Sequence, residues 1–113
     1  MEKEFIPYEQ ALALKELGFD EPCFGVYITS QLFVTSDIVY NSKDIPICKA
    51  PLYQQAFRWF SKKYDCHHTI QRNKKYVGIA YSSVVNYRID EFNTYEEAEL
   101  ECLKKLIEII KNK

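Results

Sequence analysis

Between Ala50 and Tyr64 lies the segment that most narrows what this chain can fold into. Pro51 stands near its start, where a helix loses nothing by lacking an N–H. At about 100° per residue, Leu52, Tyr53, Ala56, Phe57, Trp59, Phe60 and Tyr64 fall on one broad arc. Gln54, Arg58, Ser61 and Lys62 take the other side. The chain's only Trp sits here with two Phe and two Tyr, and an aromatic stripe of that size must be buried, so this helix is expected at the centre of the core.

Other elements can be placed around it. Ala11, Leu14 and Leu17 share a side of a helix predicted from Pro7 to about Leu17, with Leu12 further round, Gly18 free to turn left-handed behind it and Phe19 able to fold back. Cys23–Thr29 is rich in β-branched and aromatic residues and reads as a strand, with Gly25 marking a bulge or a close approach. Leu32–Tyr40 is the expected return strand, which makes Ser30-Gln31 the turn. Asn41–Lys49 reads as a loop. Cys66–Arg72, a turn at Asn73-Lys74-Lys75, and Tyr76–Tyr81 form a predicted hairpin, with Val77, Ile79 and Tyr81 alternating against smaller residues. Val84–Ile89 extends it or adds a strand. Thr94 with Glu97 three residues later opens the last helix, where Glu96, Glu97 and Glu99 suit the positive end of the helix dipole.

With 113 residues, the chain is expected to be one domain, residues 1–113. The fold class is α+β: an antiparallel sheet of four to five strands with three helices packed mainly on one face, in the order α-β-β-α-β-β(-β)-α. The last helix is apolar over about 200° of its girth, roughly twice what one sheet face covers. The surplus must meet either another helix or another chain; Leu100, Leu103, Ile107 and Ile110 are the candidate interface residues, with a homo-oligomer, most simply a dimer, as the expected state.

Net charge is −1, which gives the whole molecule no long-range pull on nucleic acid or anionic lipid. Its distribution is uneven. Arg58–Lys75 holds six Lys/Arg against Asp65, and Asp90–Glu101 holds six acids and no base. Arg58, Lys62, His67, His68, Arg72, Lys74, Lys75 and Tyr76 are the candidate ligand residues, since guanidinium forks and aromatic planes suit phosphates and bases. Cys66, His67 and His68 do not make a metal set by themselves, because alternation along a strand lets at most two of them converge, and Cys23, Cys48 or Cys102 would have to be brought in by the fold to complete one. Neither a metal nor a cofactor is expected. No Gly-rich phosphate loop, G-x-S-x-G or H-E-x-x-H occurs. Met1-Glu2-Lys3-Glu4 opens acidic, no window approaches a membrane-spanning length, and Cys23, Cys48, Cys66 and Cys102 lack C-x-x-C spacing. These features point to buried, reduced thiols.

Two resemblances follow from these residues. Read as helix, strands and helix, Leu52–Lys111 resembles the double-stranded RNA-binding domain in element order. That family meets RNA with bases at the start of its last helix, where this chain has Glu96, Glu97, Glu99 and Glu101, which argues against double-stranded RNA as a partner. The phrases Pro7–Phe24, Ala50–Phe60 and Tyr95–Ile107 resemble a group of short uncharacterised proteins of bacteriophages and Bacteroidetes-type bacteria. That likeness implies a small phage-encoded protein working in the cytoplasm of a bacterial host, and it brings no site residues. The expected function is a non-enzymatic, self-associating binding protein acting on a host factor. The alternative is a sponge for a small anionic or nucleotide-like ligand, and the third choice is a small metal- or Cys/His-dependent enzyme.

Overall fold

In the computed structural model, which describes residues 4–39, 47–72 and 74–112, nine elements follow one another. They are α1 (Tyr8–Glu16), β1 (Cys23–Ile28), β2 (Gln31–Val39), β3 (Ile47–Ala50), α2 (Tyr53–Tyr64), β4 (His67–Arg72), β5 (Tyr76–Tyr81), β6 (Asn86–Phe92) and α3 (Tyr95–Lys111). The class is α+β. Instead of one sheet of four to five strands there are two antiparallel sheets of three, ordered β2-β1-β3 and β4-β5-β6. The backbone gathers into two compact units, Met1–Gln55 and Ala56–Lys113.

In the first unit, α1 ends as Gly18 allows. Gly18 takes φ 100°, its N–H reaches the Lys15 carbonyl, and the Phe19 N–H reaches back to Leu14. This is the Schellman arrangement, and it places Phe19 in the core. The Tyr27 hydroxyl donates to the Ile6 carbonyl at 2.8 Å, and the Tyr27 ring meets Tyr8 edge to face. Gly25 sits at the register shift of β1, and a Cβ there would lie 2.7 Å from the Phe5 ring and 3.2 Å from the Ala50 carbonyl oxygen. The bulge and the close approach anticipated at this glycine are both present.

Three boundaries move. The hairpin turn is Thr29-Ser30, one residue earlier than expected, because Ile28 pairs with Gln31. The predicted loop lies outside the described residues from Asn41 to Pro46, as does Tyr40, and its last part is strand β3. Lys49 disguised that strand. Its ammonium is buried and reaches both the Asp20 carboxylate, at 2.9 Å, and the Asp20 carbonyl, at 3.0 Å. A buried cation held this way is compatible with a strand interior, whereas its sequence reads as polar loop. Helix α2 starts at Tyr53 instead of Ala50, since the residue before Pro51 is driven to extended backbone and prolongs β3.

The second unit runs from Ala56 of α2 through the β4-β5-β6 meander to α3. The order α-β-β-β-α is the one that carried the resemblance in element order. Tyr53, Ala56, Phe57, Trp59 and Phe60 are buried, while Gln54, Arg58 and Lys62 are exposed, as the wheel requires. Helix α3 lies against β5 foremost, and then β6 and β4. A Cβ on Gly78 would come within 2.7 Å of the Cys102 sulfur, so Gly78 marks the face that α3 covers. By alternation Val77, Ile79 and Tyr81 point the other way. The Thr94 hydroxyl accepts from the Glu97 N–H at 3.1 Å and donates to the Glu97 carboxylate at 3.1 Å, capping α3.

The apolar girth of α3 is largely covered by the chain itself. Leu103, Leu106, Ile107 and Ile110 are buried and Leu100 is half-buried. Leu103, Ile107 and Ile110 are thus core residues, and the reason for assigning them to an interface falls away. Among the described residues no helix is long and apolar enough to cross a membrane. Cys23, Cys48, Cys66 and Cys102 are all buried.

Candidate functional site

The second unit also divides the basic stretch by role. Arg58, Lys62 and Lys63 stand exposed on α2, and Arg72, Lys74 and Lys75 stand exposed on the end of β4 and the turn that follows. Among the described residues none of these six is ion-paired with a carboxylate. Elsewhere in the unit cations are matched: Arg88 with Glu91 at 3.6 Å, Lys104 with Glu101 at 3.0 Å, and Lys105 with Glu108 at 3.5 Å. The Arg72 guanidinium lies 5.6 Å from the centre of the Tyr76 ring, and the Lys63 ammonium 5.2 Å from that of Trp59. Tyr76 in turn meets Tyr95 edge to face at 6.0 Å.

The two histidines, adjacent in sequence, part company. His68 stacks on Phe57, with ring centres 3.5 Å apart and planes within 16°. Burial drives its pKa down to about 4, because the imidazolium would lose its water there. His68 is therefore a neutral packing residue and leaves the set of anion ligands. His67 is engaged at both nitrogens. Its Nδ1 lies 3.0 Å from the Ser61 hydroxyl and its Nε2 2.9 Å from a carboxylate oxygen of Asp65.

Ser61 and Asp65 were not among the residues singled out from the sequence. What joins them is the end of α2. Asp65 takes φ 53°, a left-handed conformation that Asp tolerates better than most residues. The Cys66 N–H returns to the Phe60 carbonyl at 3.2 Å. This corner turns the chain back so that His67 passes beside the last turn of the helix. An Asp in the position that usually holds Gly after a helix, with His two residues on, is the signal that could have found the relay. Cys66 is buried, with its sulfur 3.5 Å from the Tyr64 carbonyl oxygen. Among the described residues no three His, Cys, Asp or Glu side chains gather as a metal site requires.

A separate cleft of about 240 Å³ lies between the β5–β6 connection and the end of α3, lined by Val84, Tyr87, Lys105 and Ile109 among others. Its cation, Lys105, sits 4.3 Å from the centre of the Tyr87 ring, and no residue of the basic stretch lines it.

No family model, curated protein or solved structure matches this chain. The side chains themselves carry what functional chemistry there is. They offer two things: a group of cations unmatched by carboxylates, and a serine hydroxyl hydrogen-bonded to an imidazole that a carboxylate orients.

Proposed function

We propose that this protein binds an extended polyanion through Arg58, Lys62, Arg72, Lys74 and Lys75, with Lys63 adding charge. The observation that carries this reading is the contrast in pairing. Cations are neutralised by neighbouring carboxylates on β6 and α3 and left unneutralised along 58–75. Surface ion pairs are worth little to stability, so leaving six cations unmatched costs the fold almost nothing and keeps them available to phosphates.

Geometry favours a long ligand over a small one. Phe57, beside Arg58, stacks on His68, and Arg72 is four residues further along β4, about 13 Å at the strand rise. A chain of phosphates spans such a distance, whereas a single small anion touches one end of it. The carboxylates of Glu96 and Glu97, exposed at the start of α3, oppose a duplex laid across that end.

The test uses fluorescence anisotropy of a labelled oligouridylate over a range of salt. Binding should weaken with salt at a log–log slope of about −0.7 for each cation engaged. Arg58→Ala with Lys62→Ala, and separately Lys74→Ala with Lys75→Ala, should each flatten that slope by about 1.4. Uridine monophosphate should compete poorly. No binding at low salt, or slopes equal in parent and variants, would refute the assignment.

A further inference from the structure

Beyond polyanion binding, and independently of it, we propose that Ser61 is a nucleophile toward small activated carboxylic esters, with His67 as its general base and Asp65 as the positioning residue. A carboxylate only accepts hydrogen bonds, so the 2.9 Å contact with Asp65 fixes the ring proton on His67 Nε2. In that tautomer Nδ1 carries the lone pair. It faces the Ser61 oxygen at 3.0 Å, so the hydroxyl donates to it. This is the ground-state arrangement from which an imidazole removes a serine proton, reached here with the two ring nitrogens in the opposite roles to those of the familiar protease triad.

The relay is also open to a substrate. The His67 side chain keeps 33% of its surface exposed and Ser61 is half-buried, so an acyl group can approach the oxygen without rearrangement of the helix. In the step itself, the Ser61 oxygen bonds to the acyl carbon as its proton passes to Nδ1. The bond from that carbon to the leaving alcohol breaks, and the alcohol departs with the proton from Nδ1. Water then repeats the sequence on the acyl-serine, releasing the acid and restoring Ser61. Asp65 is 70% exposed, so its hold on the ring is screened by water and turnover is slow. The share owed to a positioned base is about 10²–10⁴-fold in enclosed sites, and the lower end applies here.

The experiment treats the whole chain with a fluorophosphonate probe and with 4-nitrophenyl acetate. One probe adduct should map to Ser61 by peptide mass spectrometry, and His67→Gln should abolish it. Ser61→Ala should lower ester hydrolysis about tenfold or more, and Ser61→Cys should retain acylation at the same position. Asp65→Asn, which suits the left-handed backbone, should lower kcat with KM unchanged. An adduct elsewhere or none at all, or a Ser61→Ala variant as fast as the parent, would overturn the proposal.

Discussion

His68 illustrates how one contact changes what a residue can do. In the unfolded chain its imidazole titrates at the ordinary 6.5, while the Phe57 stack and burial hold the folded value at about 4. A depressed pKa means that the unfolded chain takes up a proton that the folded chain refuses. The stability owed to the neutral ring is therefore complete above pH 6.5 and drains away as pH falls toward about 4. A full shift of this size would be worth up to about 1.4 kcal/mol per unit. Because the ring is only partly buried, solvent screening brings the total loss to about 1–2 kcal/mol. Urea midpoints measured across that range should fall more steeply for the parent than for His68→Phe. Equal acid limbs would show that the carboxylates alone carry the pH dependence.

Among the elements, the β1–β2 hairpin holds the clearest conflict between residue and conformation. Thr29 at φ 48° and Ser30 at φ 68° occupy left-handed backbone in succession, the pattern of a two-residue turn that normally selects Asn-Gly. A contact of the Thr29 hydroxyl with the Ile28 carbonyl at 2.7 Å offsets part of the cost. Ser30→Gly should raise stability by about 0.5–1 kcal/mol and Thr29→Asn by a similar amount, read as a higher melting temperature. Unchanged or lower melting would place the strain elsewhere. The same hairpin explains what the sequence could reveal. Helices α2 and α3 were legible because their periodic apolar residues must be buried however the rest folds. The sequence places the β1–β2 turn one residue late because Thr29-Ser30 violates the usual turn chemistry, and β3 reads as loop because Lys49 finds its partner 29 positions away. For the same reason the exposure of Arg58, Lys62, Lys74 and Lys75 was readable from pattern. The fates of His67 and His68 were not, since these depend on Ser61, Asp65 and Phe57, which only the closed corner after α2 brings near.

At the scale of the molecule, a net charge of −1 conceals a segregation that ligands would sense locally, since charges more than about 8–10 Å away are screened at physiological salt. The four thiols have a consequence of a different kind. Cys23 and Cys48 fall in the first unit, Cys66 and Cys102 in the second, and none presents its sulfur to water. Burial also lifts the thiol of Cys23 to about 12 and that of Cys102 to about 11, and raises Cys48, so little thiolate is present until the surrounding structure opens. Brief exposure to iodoacetamide at rising urea, followed by intact-mass and peptide mapping, should therefore tag Cys23 with Cys48 and Cys66 with Cys102 as two separate pairs. All four tagging at one urea concentration would mean that both halves melt together. Each half of this polypeptide thus carries two built-in tamper seals, and no dye or engineered label is needed to see whether one breaks before the other.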